Sequence, residues 1–269
     1  MPPAIVTRDL TRRFDALIAV NALNLQVQAG EVFGLLGPNG AGKTTTIKML
    51  ITLLPPSGGS ASVAGHDIHR DPRLVRRSIG YVPQLLSSDG ALSARENLMT
   101  SARLYHLPNA DRRSRIAEAL EFMGLESAAD RLVRTFSGGM IRRLEIAQAM
   151  LHRPEVLFLD EPTVGLDPTA RRAVWGHIRE LRLAEGTTIL LTTHYMDEAA
   201  ELCGRVGFMH LGKLVALGTP AELAAQAGRG KSLDDAFTYF TGSGLDEPGE
   251  QGGQYRDVAR TRRTARRVG

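Results

Sequence analysis

The stretch Gly37-Pro38-Asn39-Gly40-Ala41-Gly42-Lys43-Thr44-Thr45 decides how this chain is read. It fits G-x-x-x-x-G-K-[ST], a loop that wraps nucleotide phosphates. The apolar run Val32 to Leu36 enters it as a buried strand would, and a helix-compatible run, Thr44 to Leu54, leaves it and stops before Pro55-Pro56. Glycines let the backbone approach phosphate oxygens because no Cβ intervenes. Successive N–H groups then form an anion nest, and the following helix adds the positive end of its dipole. In this reading Gly37 to Gly42 cradle phosphate, and Lys43 bridges the β- and γ-phosphates. The Thr44 hydroxyl faces Mg²⁺, and Thr45 adds a phosphate hydrogen bond. A plain glycine turn between strand and helix is the competing reading.

The composition fits one large α/β domain or a domain with a subdomain: 269 residues, 43% hydrophobic and 23% charged. A single cysteine, Cys203, leaves no partner for an internal disulfide and suits a reducing compartment. Residues 1–10 carry charges and no long apolar core, so no signal peptide is expected. No run approaches the length of a membrane span, so a transport role requires a separate channel-forming chain. The net charge of +4 is misleading, because residues 256–269 hold six Arg and one Asp and leave the remainder at −1. The body therefore lacks the basic excess of a nucleic-acid binder. Residues 241–269 are expected to form a disordered Arg-rich tail; attraction to anionic lipid headgroups is the alternative.

Along the chain, Ala4 to Leu10 is expected as an edge strand and Ala19 to Val27 as a second strand, together making a small antiparallel sheet. Phe14 is either an adenine-stacking ring or a surface aromatic packed on a neighbouring strand. Ile79 to Val82 reads as a strand ending at Pro83, with Gln84 beyond its carboxyl end, where open α/β sheets bind ligands. The Gln84 carbonyl suits Mg²⁺ or its water. From about 91 to 152 the pattern is helical: Leu92, Leu98, Leu104 and Tyr105 mark one helix, and Ile116, Ala119, Leu120 and Met123 a second. Ser137-Gly138-Gly139 opens another, either as an ordinary cap or as a second anion site. Val156 to Leu159 reads as a strand buried on both faces, closed by Asp160-Glu161. Two adjacent acids there need positive partners, which Mg²⁺ and Lys43 supply. Alternation along the strand assigns Asp160 to a Mg²⁺-bound water and Glu161 to the γ-phosphate and an attacking water. His194 follows a further β-rich run, Thr187 to Thr193; it is either structural or a donor to a γ-phosphate oxygen.

The order of these motifs, through Gly165-Leu166-Asp167 to His194, resembles the nucleotide-binding domain of ATP-binding cassette transporters, over about residues 4–240. The resemblance implies an α/β P-loop NTPase fold with a RecA-like core, an antiparallel β subdomain and an inserted helical subdomain. It places Phe14 on the adenine-stacking aromatic and Gly37 to Thr45 on the phosphate loop. Gln84 falls on the nucleotide-sensing glutamine, Ser137, Gly138 and Gly139 on the signature, and Asp160 on the Mg²⁺-associated acid. Glu161 falls on the catalytic base and His194 on the switch histidine. Met140 stands where the signature usually has glutamine, so its amide hydrogen bonds are lost. Phe136 to Leu144 and Ser232 to Gly242 look like the subgroup that includes the daunorubicin-resistance ATPase and related antibiotic and multidrug exporters. The implied protein is an ATPase peripheral to the cytoplasmic face of the membrane. It works as an ATP-dependent homodimer with a separate permease, and Leu85 to Leu98 is the expected permease contact. The alternatives are another ATP-binding cassette system, a soluble non-transport relative, and a binding-only subunit.

Overall fold

The computed structural model describes residues 2–242. The expected tail therefore lies outside the described residues from position 243 on. In chain order the elements are β1 (Pro3–Phe14), β2 (Leu17–Gln28), β3 (Val32–Leu36), α1 (Lys43–Leu50), β4 (Gly58–Val63), β5 (His66–Asp67), α2 (Pro72–Ser78) and β6 (Ile79–Val82). There follow α3 (Ala94–Leu104), α4 (Asn109–Phe122), α5 (Gly138–Met150), β7 (Val156–Asp160), α6 (Pro168–Glu185) and β8 (Thr188–Thr193). The described chain ends with α7 (Met196–Leu202), β9 (Arg205–His210), β10 (Lys213–Gly218), α8 (Pro220–Ala227) and α9 (Leu233–Thr241).

The strands form two sheets. A six-stranded sheet runs β10-β9-β3-β8-β7-β6, parallel except for the β9–β10 hairpin. Its central strands are continuous apolar runs because both faces are covered. Period two then divides each run: Phe33, Leu35, Phe158, Leu190 and Met209 join the core under the smaller sheet and α1, while Leu36, Leu157, Leu159, Leu191 and Phe208 join the core under the remaining helices. Each such side chain contributes on the order of 1.5–3 kcal/mol by burial.

The smaller sheet runs β2-β1-β4-β5 and is antiparallel. Here the edge-strand expectation for Ala4 to Leu10 fails, since β1 lies between β2 and β4. Its second partner, β4, arrives after the phosphate loop and α1, a long-range pairing that local alternation does not encode. The β4–β5 and β9–β10 connections are both tight. Ala64-Gly65 and Leu211-Gly212 have positive φ at both central residues, as two-residue hairpin turns require.

Helix α1 ends at Leu50, earlier than the prolines imply. Thr52 turns left-handed (φ 63°), and the amides of Leu53 and Leu54 fold back onto the Lys48 carbonyl. The 91–152 stretch is helical as expected, in α3, α4 and α5. However, Leu92 precedes the α3 cap, and Leu104 and Tyr105 are exposed rather than on the buried stripe. A Ser93–Glu96 capping box starts α3: the Ser93 hydroxyl accepts the Glu96 amide, and the Glu96 carboxylate accepts the Ser93 amide. Helix α5 lies directly on β6. A Cβ on Gly80 would come within 2.4 Å of the Ala149 carbonyl oxygen, so only glycine permits that approach. Helix α9 buries Leu233 and Phe237, with Phe237 edge-on to Phe208 at 5.4 Å.

Candidate functional site

The site follows from the register of four adjacent strands. Leu36, the last residue of β3, pairs with Thr193, the last of β8. Thr192 pairs with Asp160, the last of β7, and Leu159 pairs with Val82, the last of β6. What leaves each strand therefore emerges at the same level: Gly37 from β3, His194 from β8, Glu161 from β7, and Pro83-Gln84 from β6.

The loop after β3 is shaped by its glycines. A Cβ on Gly37 would sit 2.2 Å from the Met209 carbonyl oxygen, and one on Gly42 2.3 Å from that of Ala19. Gly40 has open space around it but a φ of 84°. Pro38 accepts from the Ala41 amide in the turn, while Asn39 and Gly40 are exposed. Helix α1 has no side-chain cap, whereas Ser93, Ser137, Asp167, Thr219 and Ser232 cap α3, α5, α6, α8 and α9. The first amides of α1, on Lys43, Thr44 and Thr45, have no intrahelical acceptor by helix geometry. They offer an anion what side chains offer those five helices; α2, α4 and α7 also lack a side-chain cap but do not follow the glycine loop.

Lys43 is 4% exposed, and its ammonium is fully engaged. Nζ donates to the Gly37 carbonyl (2.7 Å) and the Pro38 carbonyl (3.1 Å) and pairs with Glu161 Oε1 at 3.2 Å. Glu161, also 4% exposed, takes three more neighbours. Its Oε2 accepts from Gln84 Nε2 at 3.0 Å and lies 3.3 Å from His194 Nδ1, and its amide donates to the Thr192 carbonyl at 3.1 Å. Burial pushes the Lys43 pKa below the ordinary lysine value, while the Glu161 and Asp160 carboxylates oppose that shift.

Simple strand alternation does not describe the acidic pair. Strand β7 ends at Asp160, and Glu161 is left-handed, with φ 48°. The backbone turns there, so both carboxylates converge on the loop between β3 and α1 instead of diverging. Asp160 Oδ1 accepts from Thr44 Oγ1 (3.0 Å) and Thr192 Oγ1 (2.6 Å). Thr44 Oγ1 and Asp160 Oδ1 are in contact, and Gln84, whose side chain also carries an amide oxygen, reaches Glu161 beside Asp160, so the oxygen donors here include one free-standing carboxylate. Among the described residues no cluster of three or more His, Cys, Asp or Glu could cage a metal. The donors fit Mg²⁺, which binds through one or two carboxylates and keeps water and phosphate ligands.

The structure thus brings together Lys43, Thr44, Gln84, Asp160, Glu161 and His194. Two expected parts stand apart. Ser137 caps α5 by accepting the Met140 amide at 3.3 Å. Gly138 and Gly139 lie against Leu166 and Ala170, where a Cβ would meet side-chain carbons at 3.3 and 2.8 Å. Among the described residues no hydrogen bond or ion pair joins them to the Lys43 cluster. Phe14 carries the Arg12 guanidinium over its ring at 4.5 Å.

Residues that sequence reading missed support the cluster. Thr192 orients Asp160. Thr163 Oγ1 donates to Glu198 Oε1 at 2.7 Å and Trp175 Nε1 donates to the same oxygen at 2.9 Å, which ties the segment after Glu161 to α6 and α7. Arg142 and Glu145, both buried on α5, reach the segment after β6. For Arg142, Glu145 and Glu198 the sequence offers only a charged residue beside apolar helical positions, and for Thr163, Trp175 and Thr192 it offers none.

Comparison with known proteins agrees with the geometry. A profile described as ABC transporter matches residues 20–164. The chain is 48% identical over 225 residues to the daunorubicin/doxorubicin resistance ATP-binding protein of Streptomyces peucetius, covering 84% of this chain and 68% of the relative. It is 47% identical over 216 residues to the Nod factor export ATP-binding protein I of Burkholderia pseudomallei, covering 80% and 71%. Among solved structures, an ATP-binding subunit of an ABC transporter superposes with TM-score 0.79 at 33% identity, covering 88% of this chain and 99% of the other. The cbiO1 protein of Clostridium perfringens, part of the cbiONQ transporter complex, gives 0.77 at 29% identity, covering 84% and 92%.

The buried pair yields a direct test. Because Glu161 raises the Lys43 pKa against burial, Glu161→Gln is expected to lower that pKa further. Titration of Nζ by ¹⁵N NMR checks the sign, and a rise would contradict the arrangement described.

Proposed function

The chain belongs to the ABC transporter family as an ATP-binding ATPase subunit, and from that premise we propose that it powers export of a drug or antibiotic through a separate membrane permease. The observation that carries the ATPase part is the Lys43–Glu161–Gln84–His194 cluster beside the uncapped start of α1. Export rests on the similarity to resistance and export proteins. No helix among the described residues is long and apolar enough to cross a membrane, so the channel is assigned to another chain and this one to peripheral attachment.

In the proposed mechanism, Lys43 leaves the carbonyls of Gly37 and Pro38 for the β- and γ-phosphates of ATP, which the amides of residues 40–45 also bind. Thr44, Asp160 and Gln84 would hold Mg²⁺, which would neutralise phosphate charge when bound. Glu161 orients a water and takes its proton as the water oxygen bonds to the γ-phosphorus and the bond to the ADP oxygen breaks. His194 donates to a γ-phosphate oxygen. Positioning and charge neutralisation supply most of the catalysis in phosphoryl transfer. Phe14 stacks on adenine once Arg12 moves aside. Ser137, Gly138 and Gly139, remote from Lys43 in their own copy, face the ATP held by a second copy, so that two chains enclose two nucleotides. Hydrolysis removes the bridging γ-phosphate and loosens the pair, a two-state closure that a permease can use.

The permease contact is assigned to the segment after Gln84, where Leu85 is 82% and Leu86 51% exposed. Glu96 is less informative there, since its carboxylate is occupied in the α3 capping box. Residues 1–240 act as one nucleotide-binding domain with 91–152 as its helical part.

Two outcomes are expected. The wild-type chain hydrolyses MgATP, while Glu161→Gln binds ATP, turns over at least about a hundredfold more slowly and stays dimeric, as measured by phosphate release and sedimentation. A Glu161→Gln chain at wild-type rate contradicts the assignment of the base. Leu85→Asp is expected to lose association with the cognate permease in co-purification from membranes, and undiminished association contradicts that placement.

A further inference from the structure

Arg142 is 1% exposed and Glu145 3%, and both lie on α5, the helix that Ser137 opens. Arg142 Nη1 donates to the Pro83 carbonyl at 2.7 Å and Nη2 to the Gln84 carbonyl at 2.9 Å. Nη1 also pairs with Glu145 Oε2 at 3.0 Å. The other Glu145 oxygen, Oε1, accepts from the Ser87 amide and, at 3.1 Å, from the Ser87 hydroxyl. One helix therefore holds the segment 83–87 at both ends.

Burying an ion pair is weak support for stability, because desolvation offsets much of the attraction and an apolar pair often serves as well. An explanation must come from what the pair does. Pro83 has no N–H, and β6 is the edge of its sheet, so the Pro83 and Gln84 carbonyls lack a further strand to pair with. The planar guanidinium supplies donors to both at once, which a lysine ammonium does less well. The Gln84 backbone is fixed by α5 while its side chain reaches Glu161. Arg142 lies five residues after Ser137, about 7.5 Å along the axis at 1.5 Å per residue. Gly80, pressed on Ala149, docks the far end of α5 to β6.

We infer that Arg142 and Glu145 are positioning residues that lock the Gln84 segment to the helix bearing Ser137-Gly138-Gly139, so that Gln84 meets Glu161 only when α5 is in place. The inference rests on the catalytic reading of Glu161 and extends it.

The test is a double-mutant cycle on the full chain with MgATP, comparing wild type, Arg142→Lys, Gln84→Ala and the double variant, with kcat and KM separated. Arg142→Lys keeps the charge beside Glu145 but loses the fork. Its kcat is expected to fall about tenfold, the scale of a lost charged hydrogen bond, with the affinity of the phosphate loop for ATP little changed. If Arg142 acts through Gln84, the double variant turns over no more slowly than Gln84→Ala alone. Multiplying losses would overturn the inference, since a general structural role adds its own cost whether or not Gln84 is present. Glu145→Gln, measured against Gln84→Ala in the same way, provides a second cycle should Arg142→Lys fail to fold. A wild-type chain without ATPase activity would overturn the catalytic reading and this inference with it; an active wild type with multiplicative losses in the cycle measured would overturn the inference alone.

Discussion

The Lys43 ammonium is almost fully withdrawn from water, and its neighbours are arranged around that charge. An unpaired buried cation is costly enough that it would lose its proton or leave the interior. Two carbonyls from the loop and one carboxylate from the next-but-one strand keep it in place. Those three oxygens come from segments that meet only because β3, β8 and β7 end in register. The same carboxylate then gathers Gln84 from β6 and His194 from β8. The chemistry of the site and the topology of the sheet are thus one constraint seen at two scales.

Arg142 repeats the arrangement at the edge of the sheet. Each cation takes two consecutive carbonyls just past a parallel strand, Gly37 and Pro38 after β3 and Pro83 and Gln84 after β6. Each also pairs with a buried glutamate. Irregular backbone leaving a buried strand must satisfy its carbonyls somehow, and a charged donor gives stronger bonds than a neutral one. The difference lies in what else the glutamate touches. Glu161 faces groups able to engage a phosphate, whereas Glu145 faces Ser87 and holds a loop. In the proposed mechanism phosphate competes for the first cation, while the second stays a fixed brace.

The fold was largely legible because its decisive segments are local. The strand–loop–helix around Lys43, the run Val156 to Leu159 ending in two acids, and the Leu211-Gly212 hairpin each carry their own pattern. The parts that were not legible depend on distant partners. The place of β1 between β2 and β4 is set by a strand that comes after the phosphate loop. The left-handed turn at Glu161, which no glycine announces, cancels the alternation that would separate the two acids. Leu104 fits an apolar stripe by spacing and yet faces solvent, and Tyr105, past the helix end, stacks on His152 rather than joining the core, since α3 buries Leu98, Ala102 and the polar Asn97 instead. Arg142 and Glu145 look like solvated charges until the β6 edge is placed beside them.

In the proposed mechanism no single copy completes a site, since among the described residues no hydrogen bond or ion pair joins Ser137 to the Lys43 cluster of its own chain. Mixing Lys43→Ala with Ser137→Arg tests this most directly. Each variant alone spoils both sites of a dimer, but a mixed dimer retains one site with an intact phosphate loop and an intact signature. Each variant is expected to be inactive in MgATP hydrolysis, and the mixture to recover activity. A mixture as inactive as its components, under conditions where the two chains associate, would contradict it.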